Sequence, residues 1–228
     1  MKYFFAIIII FFTYCSSNPE KSSLSNETGV TSRGGSGELS DVDKELFNSA
    51  SDTQTEKIEE LIKKGANPNA LDKGSWTPLM VYALYNNHKG GEILIQNGAD
   101  VNASNDSGKT PLHFSKGIEF TNLLLKNKAT PNPKDHYGAT PLHLTDKIEI
   151  AETLIANGAD INLRDEISGW TPLIYSTVFK NTGIVKLLID KSADVNLKDS
   201  LGNSPLFYAK QKKSSDIEKL LISKGASL

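Results

Sequence analysis

The sequence predicts an all-α repeat solenoid of about six stacked helix pairs, because three sequence markers recur in one phase. Thr-Pro-Leu triplets begin at Thr77, Thr110, Thr140 and Thr171, followed by the variant Ser204-Pro205-Leu206, at spacings of 33, 30, 31 and 33 residues. A small-residue doublet keeps step with them: Gly65-Ala66, Gly98-Ala99, Lys128-Ala129, Gly158-Ala159, Ser192-Ala193 and Gly225-Ala226. The third marker is an asparagine series at Asn69, Asn102, Asn132, Asn162 and Asn196.

Each marker has a role in building helices. Thr or Ser before Pro starts a helix: the hydroxyl caps free N–H groups, and proline fits the first helical turn, where its missing N–H goes unused. The leucine that follows begins a buried stripe. Apolar triplets at one phase, Ile93-Leu94-Ile95, Leu123-Leu124-Leu125, Leu187-Leu188-Ile189 and Leu220-Leu221-Ile222, form the inner face of a second helix. Gly-Ala then ends that helix, because glycine accepts a left-handed backbone cheaply. Clusters such as Asn105-Asp106-Ser107-Gly108 and Asp199-Ser200-Leu201-Gly202 are turn signals.

The chain divides in order as follows. Residues 1–14 read as a signal peptide: Lys2 supplies a positive charge and Tyr3 to Phe12 an unbroken apolar run. As a helix that run spans about 15 Å, half the hydrocarbon core of a bilayer. Cys15, the only cysteine, follows at once, so no internal disulfide can form. This arrangement resembles a bacterial lipoprotein signal, which implies lipidation at Cys15. Tyr14 and Phe12 depart from that motif, which prefers a small residue and a leucine there. A plain secretory signal and an uncleaved short anchor are the alternatives. The expectation is an exported protein anchored in the bacterial envelope, periplasmic or surface-facing, or else secreted in soluble form. Residues 15–40 are rich in serine and glycine and read as a flexible tether.

Residues 41–228 carry the repeats. Residues 41–70 hold two helical patterns without a Thr-Pro start and read as an N-terminal capping unit. Residues 71–203 hold four full or shortened repeats, and 204–228 a C-terminal capping repeat whose Lys210, Gln211, Lys212 and Lys213 provide a polar outer surface. Helix, turn, helix and turn-rich connector at about 33 residues resembles the ankyrin repeat. The family's Thr-Pro-Leu-His is complete at Thr110 to His113 and at Thr140 to His143; Met80, Ile174 and Phe207 replace the histidine elsewhere. The resemblance implies β-hairpin-like fingers between helix pairs and a structural role for those two histidines. The units starting at Thr110 and Thr140 are two or three residues short, so their first helices or inter-helix turns must be tighter. The connector from Arg164 to Trp170 is one residue longer than its counterparts, so one finger should bulge.

The residues argue against several functions. A net charge of −2, with no basic block interleaved with aromatics, gives no basis for nucleic-acid binding. The four histidines have no His-x-x-x-His spacing, and no cysteine cluster or calcium-loop pattern is present. No phosphate-binding glycine loop and no Gly-x-Ser-x-Gly elbow appears. The expectation is a monomeric, non-catalytic protein without cofactors that binds a protein partner, with membrane contact only through its lipid. A dedicated stabiliser or inhibitor of one exported enzyme is the alternative.

The ankyrin resemblance places partner binding on the finger tips and the first helix of each pair. In this chain that selects Trp76, Lys109, His136, Tyr137, Ile167, Trp170 and Leu201 on the fingers, and Leu84, Tyr85 and Phe179 on the first helices. Tryptophan and tyrosine are enriched at binding hot spots. The alternative is that these rings pack on neighbouring fingers.

Overall fold

A computed structural model describes residues 38–228 apart from Thr53. The expected signal segment, Cys15 and the tether up to residue 37 lie outside the described residues.

Thr77, Thr110, Thr140, Thr171 and Ser204 all hold an extended backbone just before a helix with proline in its first turn. At Thr77, Thr171 and Ser204 the hydroxyl accepts from the N–H three residues on. Six helix pairs result. They are α1 (Asp41–Asn48) with α2 (Thr55–Lys63), α3 (Pro78–Leu84) with α4 (His88–Gln96), and α5 (Pro111–Phe114) with α6 (Ile118–Lys126). The remaining three are α7 (Pro141–Leu144) with α8 (Ile148–Ala156), α9 (Pro172–Val178) with α10 (Thr182–Asp190), and α11 (Pro205–Gln211) with α12 (Ser215–Ser223). First helices pack in sequence, α1 to α3 to α5 to α7 to α9 to α11, and second helices do the same from α2 to α12. Among the described residues there is no strand.

All six second helices end alike. Gly65, Gly98, Lys128, Gly158, Ser192 and Gly225 have positive φ, from 67° to 93°. The alanine after each donates its N–H back to the helix, as in Ala99 to Leu94 and Ala129 to Leu124 at 2.9 and 3.0 Å. This left-handed closure satisfies the last carbonyls, and the alanine methyl packs beneath them. The Gly-Ala marker is therefore a helix stop and a core contact at once.

The asparagine series joins one repeat to the next. Asn132 donates its amide to the Gly158 carbonyl at 2.9 Å and accepts from Asp160 N–H at 2.8 Å. Asn69, Asn102 and Asn196 make the same pair of bonds to the following unit, and Asn162 accepts from Asp194 N–H. Between the helices runs a continuous core that includes Leu46, Leu79, Leu94, Phe120, Leu124, Leu142, Leu154, Leu188 and Leu221.

The short units differ from the others in their first helices. α5 and α7 have four residues, whereas α3, α9 and α11 have seven. The full units turn through Asn86, Lys180 and Lys213, all at positive φ between 53° and 57°. In the short units Ser115 and Thr145 leave the helix in extended conformation instead. Gly117 fits the first of these turns because a Cβ there would sit 2.1 Å from the Asn86 amide oxygen of the preceding unit.

Candidate partner-binding face

Each finger is organised by one side chain. Asp72, Asn105, Asp135, Asp165 and Asp199 sit at equivalent positions, and Oδ1 of each accepts two backbone N–H groups of its own loop. The N–H of the same residue closes the loop, as in Asp135 to the Ala139 carbonyl at 2.9 Å. The fingers are thus hairpin-like reversals held by Asx turns. Burial raises the carboxyl pKa of Asp135 and Asp165, and the donated N–H groups pull it part of the way back.

Neighbouring fingers are tied by one backbone bond each: Asp106 to Gly74, His136 to Ser107, Glu166 to Tyr137 and Ser200 to Ser168, at 2.9 to 3.1 Å. The first three accepting carbonyls lie two residues after the finger's organising residue; the fourth lies three residues after Asp165. That shift is the expected bulge. It absorbs the extra residue ahead of Ser168 and leaves Ile167 60% exposed.

Exposed apolar side chains on the fingers and first helices include Ile167 and Leu201 on two adjacent finger tips, at 60% and 73%, and Tyr85 and Phe179 at first-helix ends, at 53% and 48%. Tyr85 and Phe179 are the C-cap residues of α3 and α9, at matching positions on either side of the two short units. His136 is also exposed, and Leu84 and Tyr137 are partly buried. Lys109 is mostly covered, its ammonium 4.0 Å from the nearly buried Asp135 carboxylate.

An ankyrin-repeat family model, described as three copies of the repeat, matches residues 46–135, 92–165 and 144–228. The chain belongs to the ankyrin-repeat family. One curated relative, the ankyrin repeat-containing protein P1E11.10 of Schizosaccharomyces pombe, is 27% identical over 84 residues, which is 37% of this chain and 41% of that protein. The chain therefore spans less than half the length of that relative. Ankyrin repeats mark the protein as an interaction scaffold for protein partners.

Within this ankyrin array the two tryptophans selected as finger binding residues both pack against aromatic rings. Trp170 is 8% exposed, and this corrects its assignment as a binding residue. Its ring packs edge-on against Tyr175 and Tyr208, and Nε1 donates to Tyr208 Oη at 3.3 Å. Trp76 is half-buried and lies against Phe114, ring centroids 4.3 Å apart. Phe114 and Tyr208 occupy the same position in their helices, four residues after Thr110 and Ser204, so both tryptophans bridge to the next first helix in the same way. The rings therefore pack on the next first helix, whereas the alternative reading had them on neighbouring fingers.

Among the exposed apolar residues that the sequence reading did not single out are Leu71, Ile148, Phe207, Leu228 and Ile222, the last of which was expected on the inner face of its helix. Ile148 opens α8, where the shortened unit brings the second helix forward. Phe207 holds the fourth position of the last Thr-Pro-Leu-type motif; Met80 and Ile174 are fully buried at that position, but no described repeat follows Phe207 to cover it. The signal for Phe207 was its place in the final unit.

Proposed function

We propose that this ankyrin array is a non-catalytic scaffold that holds a protein partner on its finger-and-first-helix face, centred on Ile167 and Leu201. The observation that carries this reading is the pair of apolar side chains standing open on adjacent, backbone-bonded finger tips. Exposed apolar groups that cluster on a rigid frame favour protein contact. Tyr85 and Phe179 extend the same face along the first helices. A photoactivatable crosslinker placed at position 201 captures a discrete partner. The same group at Glu152, an exposed second-helix position, captures none.

The reading includes export. Cys15, directly after the apolar run from Tyr3 to Phe12, is the lipidated first residue of the mature chain, and residues up to 40 tether the array to the bacterial envelope. The wild-type protein partitions into detergent, and Cys15→Ala moves it to the aqueous phase. A mature protein that starts elsewhere and stays aqueous contradicts this part of the proposal and leaves the binding face untouched.

A further inference from the structure

We propose that the two short central units form an acid-released hinge, in which His113 and His143 lock each unit to the one that follows and let go on acidification before the outer units do. Only these units carry histidine at the fourth motif position; Met80, Ile174 and Phe207 stand there in the others.

The hydrogen bonds fix the protonation state. His113 Nδ1 accepts from Thr110 N–H at 3.0 Å, and Nε2 reaches the Ala139 carbonyl of the next finger at 3.1 Å. His143 repeats this with Thr140 N–H at 3.1 Å and the Trp170 carbonyl at 3.2 Å. A carbonyl only accepts, so Nε2 carries the hydrogen; an amide N–H only donates, so Nδ1 must be bare. A second proton can enter only at Nδ1, where it meets the threonine N–H head-on. The helix cap is lost and a charge is left buried in the joint. Burial accordingly lowers both imidazole pKa values from 6.5 to about 4.

The surroundings do little to accept that charge. Lys109 and His143 face His113, and the Asp135 carboxylate across the joint already neighbours Lys109 at 4.0 Å. Around His143, Lys134 opposes the charge and Asp160 favours it, while α9 presents the edge of Tyr175 at 5.4 Å. The helices concerned, α5 and α7, have four residues each, so no further turn holds the unit once its cap is gone.

The sign follows from linkage. Each histidine binds its proton more tightly in the opened chain, so its contribution is complete above pH 6.5 and is lost as pH falls toward about 4. Asp135 and Asp165 are raised by burial and act in the opposite direction, but only as the pH nears the carboxylate range. The onset therefore belongs to the histidines. At pH 4.5 each ring makes opening roughly 80-fold more favourable.

The test is hydrogen exchange on the full chain between pH 7.5 and 4.5, corrected for intrinsic rates. Amides in residues 105–170 lose protection first, ahead of those in α4 and α10. The double variant His113→Met, His143→Ile, which uses residues already found at this position, keeps the centre protected at pH 4.5. Loss of protection spread evenly over the array, or a double variant that opens at the same pH as wild type, overturns the proposal. If the variant does not fold at neutral pH, the order of opening in the wild type decides alone.

Discussion

Trp170 donates its indole N–H to the hydroxyl of Tyr208 at 3.3 Å, and Tyr208 in turn donates to the Asp199 carboxylate that organises the next finger. One core ring thus links the helix pair α9–α10 to both the finger and the first helix of the last repeat. Trp170→Ala should cost about 3–5 kcal/mol by opening a cavity at this joint. Trp170→Phe should cost less, about 1–2 kcal/mol, mainly through the lost hydrogen bond. Equilibrium denaturation measures both, and a Trp170→Ala protein with wild-type stability would contradict the joint.

Lys128 and Ser192 close their helices at φ of 69° and 67°, where the other four second helices use glycine. A side chain in the left-handed region carries a steric cost of about 1 kcal/mol. Lys128→Gly and Ser192→Gly should each raise the thermal midpoint, additively because they lie in different repeats. A lowered midpoint would mean that the gain in unfolded-chain entropy from glycine outweighs the strain relieved.

Asn105 performs with an amide what Asp72, Asp135, Asp165 and Asp199 perform with carboxylates. Asp135→Asn should therefore be nearly neutral. Asp135→Ala leaves the Tyr137 and Ala139 N–H groups without their acceptor and should cost about 1–3 kcal/mol. Thermal melts of the pair distinguish an acceptor role from a need for charge.

Phe207 and Ile222 stand exposed on the last repeat. Their equivalents, such as Met80 and Ile95, are covered or partly covered in earlier repeats. Lys210 stands where Ala83 and Thr177 are fully buried, so this repeat carries charge at one position and exposed apolar groups at others. Phe207→Gln with Ile222→Lys should raise solubility with little change in melting, because neither ring nor aliphatic chain fills a closed core.

The repeat frame was legible because each marker serves the backbone in one way, with a cap at Thr77, a left-handed stop at Gly98 and a turn at Asn105. The shortened units and the bulge after Arg164 followed from counting residues against that frame. The asparagine series was visible as a pattern, but its role was not, because its two bonds reach into the next unit 26 to 32 residues away. Trp170 was misjudged for a related reason. Motif position says only that Trp170 precedes a helix start, but its burial depends on Tyr208, an aromatic residue four places after the Ser204 cap of the next first helix; Phe114 covers Trp76 only in part.

A partner that docks on the open finger tips at Ile167 and Leu201 must draw affinity from two side chains that contribute little to stability. The most direct test pairs partner affinity with thermal melting on the double variant Ile167→Asp, Leu201→Asp. Both side chains are largely in solvent, so the melt should stay at its wild-type midpoint, while affinity falls by about 2 kcal/mol or more, as expected of anchor residues. Full-strength binding by a normally folded double variant would contradict this docking site and move the partner surface off the finger tips.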